Sequence, residues 1–140
     1  MAAIKRNMTD YEDQQAAAMS FMIRIQACDM QALSLFMAQL PPEQRTPVRM
    51  EGYNKARVGS AETVLGGLIT IAQGLKPANA RLLSAAIAGT GNVWVQTILP
   101  GDRPTILAAL AKAEDAAKDD TVQKNLAAFG AALAAAKDPH

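Results

Sequence analysis

The stretch from Thr9 to Gln39 constrains the fold of this 140-residue chain more than any other feature. It keeps apolar residues at helical spacing for about 30 positions. Thr9 with Glu12 three residues later is a capping box, in which each side chain satisfies an otherwise orphaned amide of the first turn. That pattern places the helix start at Thr9 and leaves residues 1–8 as a flexible arm. Pro41 and Pro42 end the helix, because proline lacks the amide and crowds the preceding turn.

Within the helix, Ala18, Phe21, Ile25, Cys28, Ala32 and Leu35 follow a 3,4 spacing. Met19, Met22, Ile23, Met30, Leu33 and Met37 widen that stripe, and Ser20, Arg24, Gln31 and Ser34 form a narrow polar line. More than half of the circumference is therefore apolar. At 1.5 Å per residue the helix is about 45 Å long, whereas a compact globule of this size is roughly 37 Å across. The expectation is a helix that projects and is covered by a partner, with Met19, Met22, Ile23, Met30, Leu33 and Met37 at the interface.

Punctuation after Pro42 divides the rest into shorter helices. Thr46-Pro47 reads as an N-cap followed by the first helical residue, and Glu51 with Lys55 is a favourable i,i+4 pair. Gly59-Ser60 is expected to interrupt this segment. Gly66, Thr70 and Gly74, and likewise Gly59, Thr63 and Gly67, form ridges of small residues that let another helix approach closely. Pro77 opens the next helix. Gly89-Thr90-Gly91-Asn92 breaks it, and residues 93–98 read as helical despite their strand-like composition. Pro100-Gly101-Asp102 is a turn before a helix started by Pro104.

The C-terminal part reads as an alanine-rich hairpin of two helices. Ile106, Leu110, Ala113 and Ala117 form one apolar stripe. Val122, Leu126, Phe129, Leu133 and Ala136 form the other, with Asp119-Asp120-Thr121 as the capping turn. Residues 137–140 are expected to fray. The fold class that follows is all-α, a single domain spanning 1–140 with five or six helices.

Half of the residues are hydrophobic and only 4% are aromatic, so aliphatic side chains, methionine and alanine must fill the core. With 14 Lys and Arg against 13 Asp and Glu, the net charge is +1. Binding to nucleic acid or an acidic surface would then need a local basic patch. A single cysteine, Cys28, and the absence of a signal-like N-terminal pattern lead to an expectation of a reducing, cytoplasmic setting. The most apolar run, Val64 to Ala72, spans about 13 Å as a helix, far short of a bilayer's ~30 Å.

The residues needed for common site chemistries are missing from the pattern. One histidine, His140, and one cysteine cannot supply the three or four ligands of a zinc or iron site, so neither metal nor cofactor is expected. Cys28 on an apolar face reads as a small hydrophobe rather than a nucleophile. Glu43, Glu51, Glu62 and Asp102 could converge as an acid–base pair, but no spacing selects two of them. The glycines at 89 and 91 lack the lysine and spacing of a phosphate loop.

Three functional readings follow in order. The first is a non-enzymatic helical scaffold that forms a homo-oligomer, favoured as a dimer, through the long helix. The second is a small-molecule sensor or helical-pocket enzyme, with Trp94 at a pocket mouth and Arg81 or Arg103 as charge anchor. The third is weak binding of nucleic acid or an acidic partner through Arg45, Arg49, Lys55 and Arg57. These side chains fan around the helix instead of forming one stripe, so nucleic acid is not the expected partner.

Overall fold

The first helix, α1 (Ala2–Gln39), is one unbroken rod of 38 residues, about 57 Å long. It begins well before the capping box, so the expected arm at 1–8 is corrected: from Ala2 onward that segment is helical. The reason is local. Neither glycine nor proline occurs before Pro41, and a capping box has no orphan amides to satisfy in mid-helix. Glu12 and its neighbour Asp13 act elsewhere, both accepting hydrogen bonds from the Asn79 amide at 2.6 and 2.8 Å.

This computed structural model describes the backbone of residues 2–136 and the side chains from Tyr11 onward. The expected fraying of 137–140 lies outside the described residues. A 3-10 turn at Pro42–Gln44 leads to α2 (Pro47–Ala72), where the Thr46 hydroxyl accepts from the Arg49 amide as the sequence predicts. The interruption expected at Gly59-Ser60 is absent, and α2 runs straight through it. Ser60 is buried and donates to the Ala56 carbonyl one turn back, so it serves the helix interior rather than a cap. α2 stops before Gly74, whose φ of +99° is a left-handed conformation open to glycine at little cost.

α3 (Pro77–Gly89) and α4 (Gly91–Thr97) meet at Thr90, which confirms helix across 91–97. A second 3-10 turn at Pro100–Asp102 precedes α5 (Arg103–Ala116). α6 (Asp120–Ala135) begins where Asp119 accepts from the amides of Thr121 and Val122 at 3.1 Å. The chain is therefore an all-α bundle of six helices among the described residues, with the alanine-rich hairpin at its C-terminal end.

α1 packs on α2, α3 and α4, α2 packs on α5, and α3 on α6. One continuous core joins them, built on Ile23, Leu68, Leu83, Ile87, Trp94 and Phe129, all at most 1% exposed. Only one of the two small-residue ridges contributes to it. A Cβ on Gly67 would lie 3.2 Å from Ile87 Cδ1 and 3.3 Å from Ile23 Cδ1, whereas those on Gly59, Gly66 and Gly74 would meet nothing within 4 Å. Thr63 and Thr70 turn their hydroxyls onto the carbonyls of Gly59 and Gly66 in their own helix. No helix among the described residues is long and apolar enough to cross a membrane.

A candidate interface on the outer face of α1

The apolar width of α1 resolves into two separate faces. Ala16, Ile23, Ala27, Met30 and Met37 are buried against the bundle. At 100° per residue, Phe21, Met22, Ile25, Cys28, Leu35 and Phe36 point roughly the opposite way. Phe21 is 64% exposed, Leu35 57%, and Met22 and Phe36 52% each. Ile25 is 43% exposed, Cys28 is exposed and free, and Tyr11 continues the row toward the N-terminus. Arg24 and Asp29 are the charged residues beside it.

The row has a regular repeat. Ala18, Ile25 and Ala32 are spaced by seven, as are Phe21, Cys28 and Leu35. A 3.5-residue average is the period of a coiled-coil seam, in which such residues stay on one side of a helix as it winds about another. The buried face already satisfies α1's packing inside the bundle, so this second face is surplus to folding the chain.

The residues expected at the interface are mostly on the wrong side. Ile23, Met30 and Met37 are 0%, 4% and 6% exposed, and Met19 and Leu33 are partly buried against the core. Met22 alone of that set lies on the outer face. A helix apolar all round carries no sequence mark that says which side its own bundle will cover.

The basic segment 45–57 is largely turned to structural use. Arg45 donates to the carbonyls of Ala38 and Leu40, closing the C-terminal end of α1. Arg49 donates to the Gln44 carbonyl at 2.7 Å, and Arg57 to the Thr97 carbonyl at 2.7 Å. Lys55 pairs with Glu51 at the surface. These groups do not line up as a phosphate-binding stripe.

The site expected around Trp94 is not assembled either. Trp94 is fully buried, and its indole N–H donates to Thr90 Oγ1 at 2.7 Å. Arg81 is drawn away to Asp119, joined by three donor–acceptor contacts, the shortest 2.5 Å. That guanidinium, helped by the amides of Val122 and Thr121, holds the Asp119 carboxyl at about 2, against 3.8 ordinarily. Arg103 donates to the Ala136 carbonyl at 3.3 Å, at the far end of the hairpin. The glycine break at 89–92 is a helix junction held by Thr90, which donates back to the Ala86 carbonyl at 2.7 Å.

No group of three or more His, Cys, Asp or Glu among the described residues could hold a metal ion. His140 lies outside the described residues. No protein-family model matches the chain, and no curated protein or solved structure shows a significant likeness to it.

Proposed function

We propose that this protein is a helical scaffold module that pairs with a second copy of itself through the outer face of α1. The observation that supports the reading is the exposed apolar row at heptad spacing from Phe21 to Phe36. Six to eight such side chains present on the order of 600 Å² of surface, taking about 200 Å² for a whole large aromatic. A monomer's largest patch is typically 300–600 Å², and a stable interface takes about 800 Å² from each partner. The row is at the upper edge of the first range and close to the second.

A second copy fits because the row is complementary to itself. In an antiparallel pair, the two heptad positions of one helix face each other's counterpart across the seam. Pairing positions whose numbers sum to 53 seats Phe21 over the partner's Ala32, Leu35 over the partner's Ala18, and Ile25 over the partner's Cys28. Each bulky side chain meets a small one, and Arg24 meets the partner's Asp29, an opposite charge. A parallel pair would stack Phe21 on Phe21 and Ala32 on Ala32, alternating crowding with gaps.

Disulfide trapping tests both the pairing and its direction. In a Cys28→Ser background, Ala18→Cys and Leu35→Cys are oxidised separately and as a mixture. Antiparallel pairing cross-links only the mixture, because two copies of position 18 would lie ~26 Å apart. Cross-linking of each variant with itself, or of none, refutes the arrangement.

A further inference from the structure

Away from the α1 row, a cavity of about 670 Å³ opens where the C-terminal end of α1 meets the start of α2 and the flank of α4. Met37, Ala38, Met50 and Val95 form its aliphatic walls, and Arg45 and Arg57 also line it. The volume falls within the range of small-molecule sites, which are mostly apolar with a few fixed polar groups.

The two guanidiniums are what give the cavity a chemical preference. Among the described residues neither is paired with a carboxylate; the ion pairs are Lys55–Glu51, Lys76–Asp13 and Arg81–Asp119. Arg45 is held by the carbonyls of Ala38 and Leu40. Arg57 is held by the Thr97 carbonyl and by Asn54 Oδ1, with its carbon 5.4 Å from the Tyr53 ring centroid. Each of these bonds uses one of the five N–H donors of an arginine, so both groups are oriented yet keep donors to spend. The Tyr53 hydroxyl donates to Ser34 Oγ at 3.3 Å, tying together two residues that line the cavity.

We infer that this cavity binds a small amphipathic carboxylate, its head on Arg45 and Arg57 and its unbranched aliphatic tail against Met37, Met50 and Val95. A guanidinium accepts a carboxylate in a two-pronged, charge-assisted contact, which an alcohol of the same length cannot make. Methionine walls adjust to a flexible tail because their thioethers are unbranched and have several rotors. This site is separate from the α1 row: Ser34, Met37 and Ala38 lie on other faces of the helix than Leu35 and Phe36.

Decanoate, decanol and acetate are the probes, read by calorimetry and by chemical-shift changes on the full chain. Decanoate binds saturably at one per chain, decanol binds at least tenfold more weakly, and acetate shows no saturation below 10 mM, about ten times an ordinary weak ligand's millimolar dissociation constant. Arg45→Gln, at an exposed residue, and Arg57→Gln each weaken decanoate at least tenfold, the loss of one charged hydrogen bond. Ala38→Trp fills the cavity and abolishes binding while the helical signal and melting temperature are kept. Phe21→Ala leaves decanoate affinity unchanged. Equal binding of decanol, indifference to both arginine substitutions, or loss of binding in Phe21→Ala would overturn the assignment.

Discussion

Truncating Phe21 to alanine separates folding from pairing, because the side chain is outside the bundle yet central to the proposed seam. At 64% exposure, it has about 130 Å² left to bury, of which about 100 Å² disappears on truncation. At about 25 cal/mol per Å², each protomer loses about 2.5 kcal/mol of burial, and a symmetric pair loses it twice. The cavity above the partner's Ala32 adds to the loss, while relaxation of the seam subtracts from it. An expected loss of about 3–5 kcal/mol raises the dimer dissociation constant by two to three orders of magnitude or more. The monomer gives up only the small covered part of the ring and gains alanine's better helix propensity, so its stability should change by under ~0.5 kcal/mol. Sedimentation velocity over a dilution series gives the first quantity, and urea unfolding at concentrations where the chain is monomeric gives the second. A dissociation constant within threefold of the parent's would refute the placement of Phe21 in the seam. A large loss of monomer stability would refute the two-faced reading of α1.

Further outcomes follow from the same packing. Gly66→Ala should stabilise the chain by about 1 kcal/mol, since the added methyl meets nothing within 4 Å and helix propensity improves. Gly67→Ala, one residue on, should forfeit that gain or reverse it, because its methyl is pressed against Ile87 and Ile23; thermal melts of the two variants give the comparison. The Arg81–Asp119 contact should be felt in acid. Asp119 is lowered to about 2 from 3.8, so its contribution is complete above about pH 5 and fades as pH falls through 4 toward 2. The melting temperature of Asp119→Asn should therefore lie below the parent's at pH 6 and approach it near pH 2; a gap independent of pH would count against the ion pair.

The fold was readable in the sequence where breakers and apolar periodicity agree. Pro47, Pro77 and Pro104 each stand at the start of a helix, Asp119 caps α6, and the stripes of α5 and α6 are buried as spaced as far as Leu133. Reading failed where a local signal met a stronger continuous one. Thr9 and Glu12 have the spacing of a good cap, but residues 2–8 offer no breaker and the helix passes through them. Gly59-Ser60 resembles a break, yet two adjacent small residues cost less than ending and restarting a helix inside a packed bundle.

The candidate interface was half legible. Ala18, Phe21, Ile25, Cys28, Ala32 and Leu35 stand out by their spacing, and that stripe is the one left outside. The methionine-rich side was the misleading one, because Met30 and Met37 fill irregular space between α1 and its neighbours as methionine often does. The seven-residue repeat does not separate the two faces, because the buried Ala16, Ile23, Met30 and Met37 keep it as strictly as the outer row. The carboxylate cavity was beyond sequence reasoning, since it joins Met37, Arg57 and Val95 from three helices far apart along the chain.

The mass of the unmodified protein by sedimentation equilibrium, from about 1 to 200 μM, tests the central claim most directly. Pairing through α1 predicts a concentration-dependent rise to twice the chain mass of 14.8 kDa, with a plateau there because a two-fold seam closes on itself. A mass fixed at that of one chain throughout the range would contradict the account.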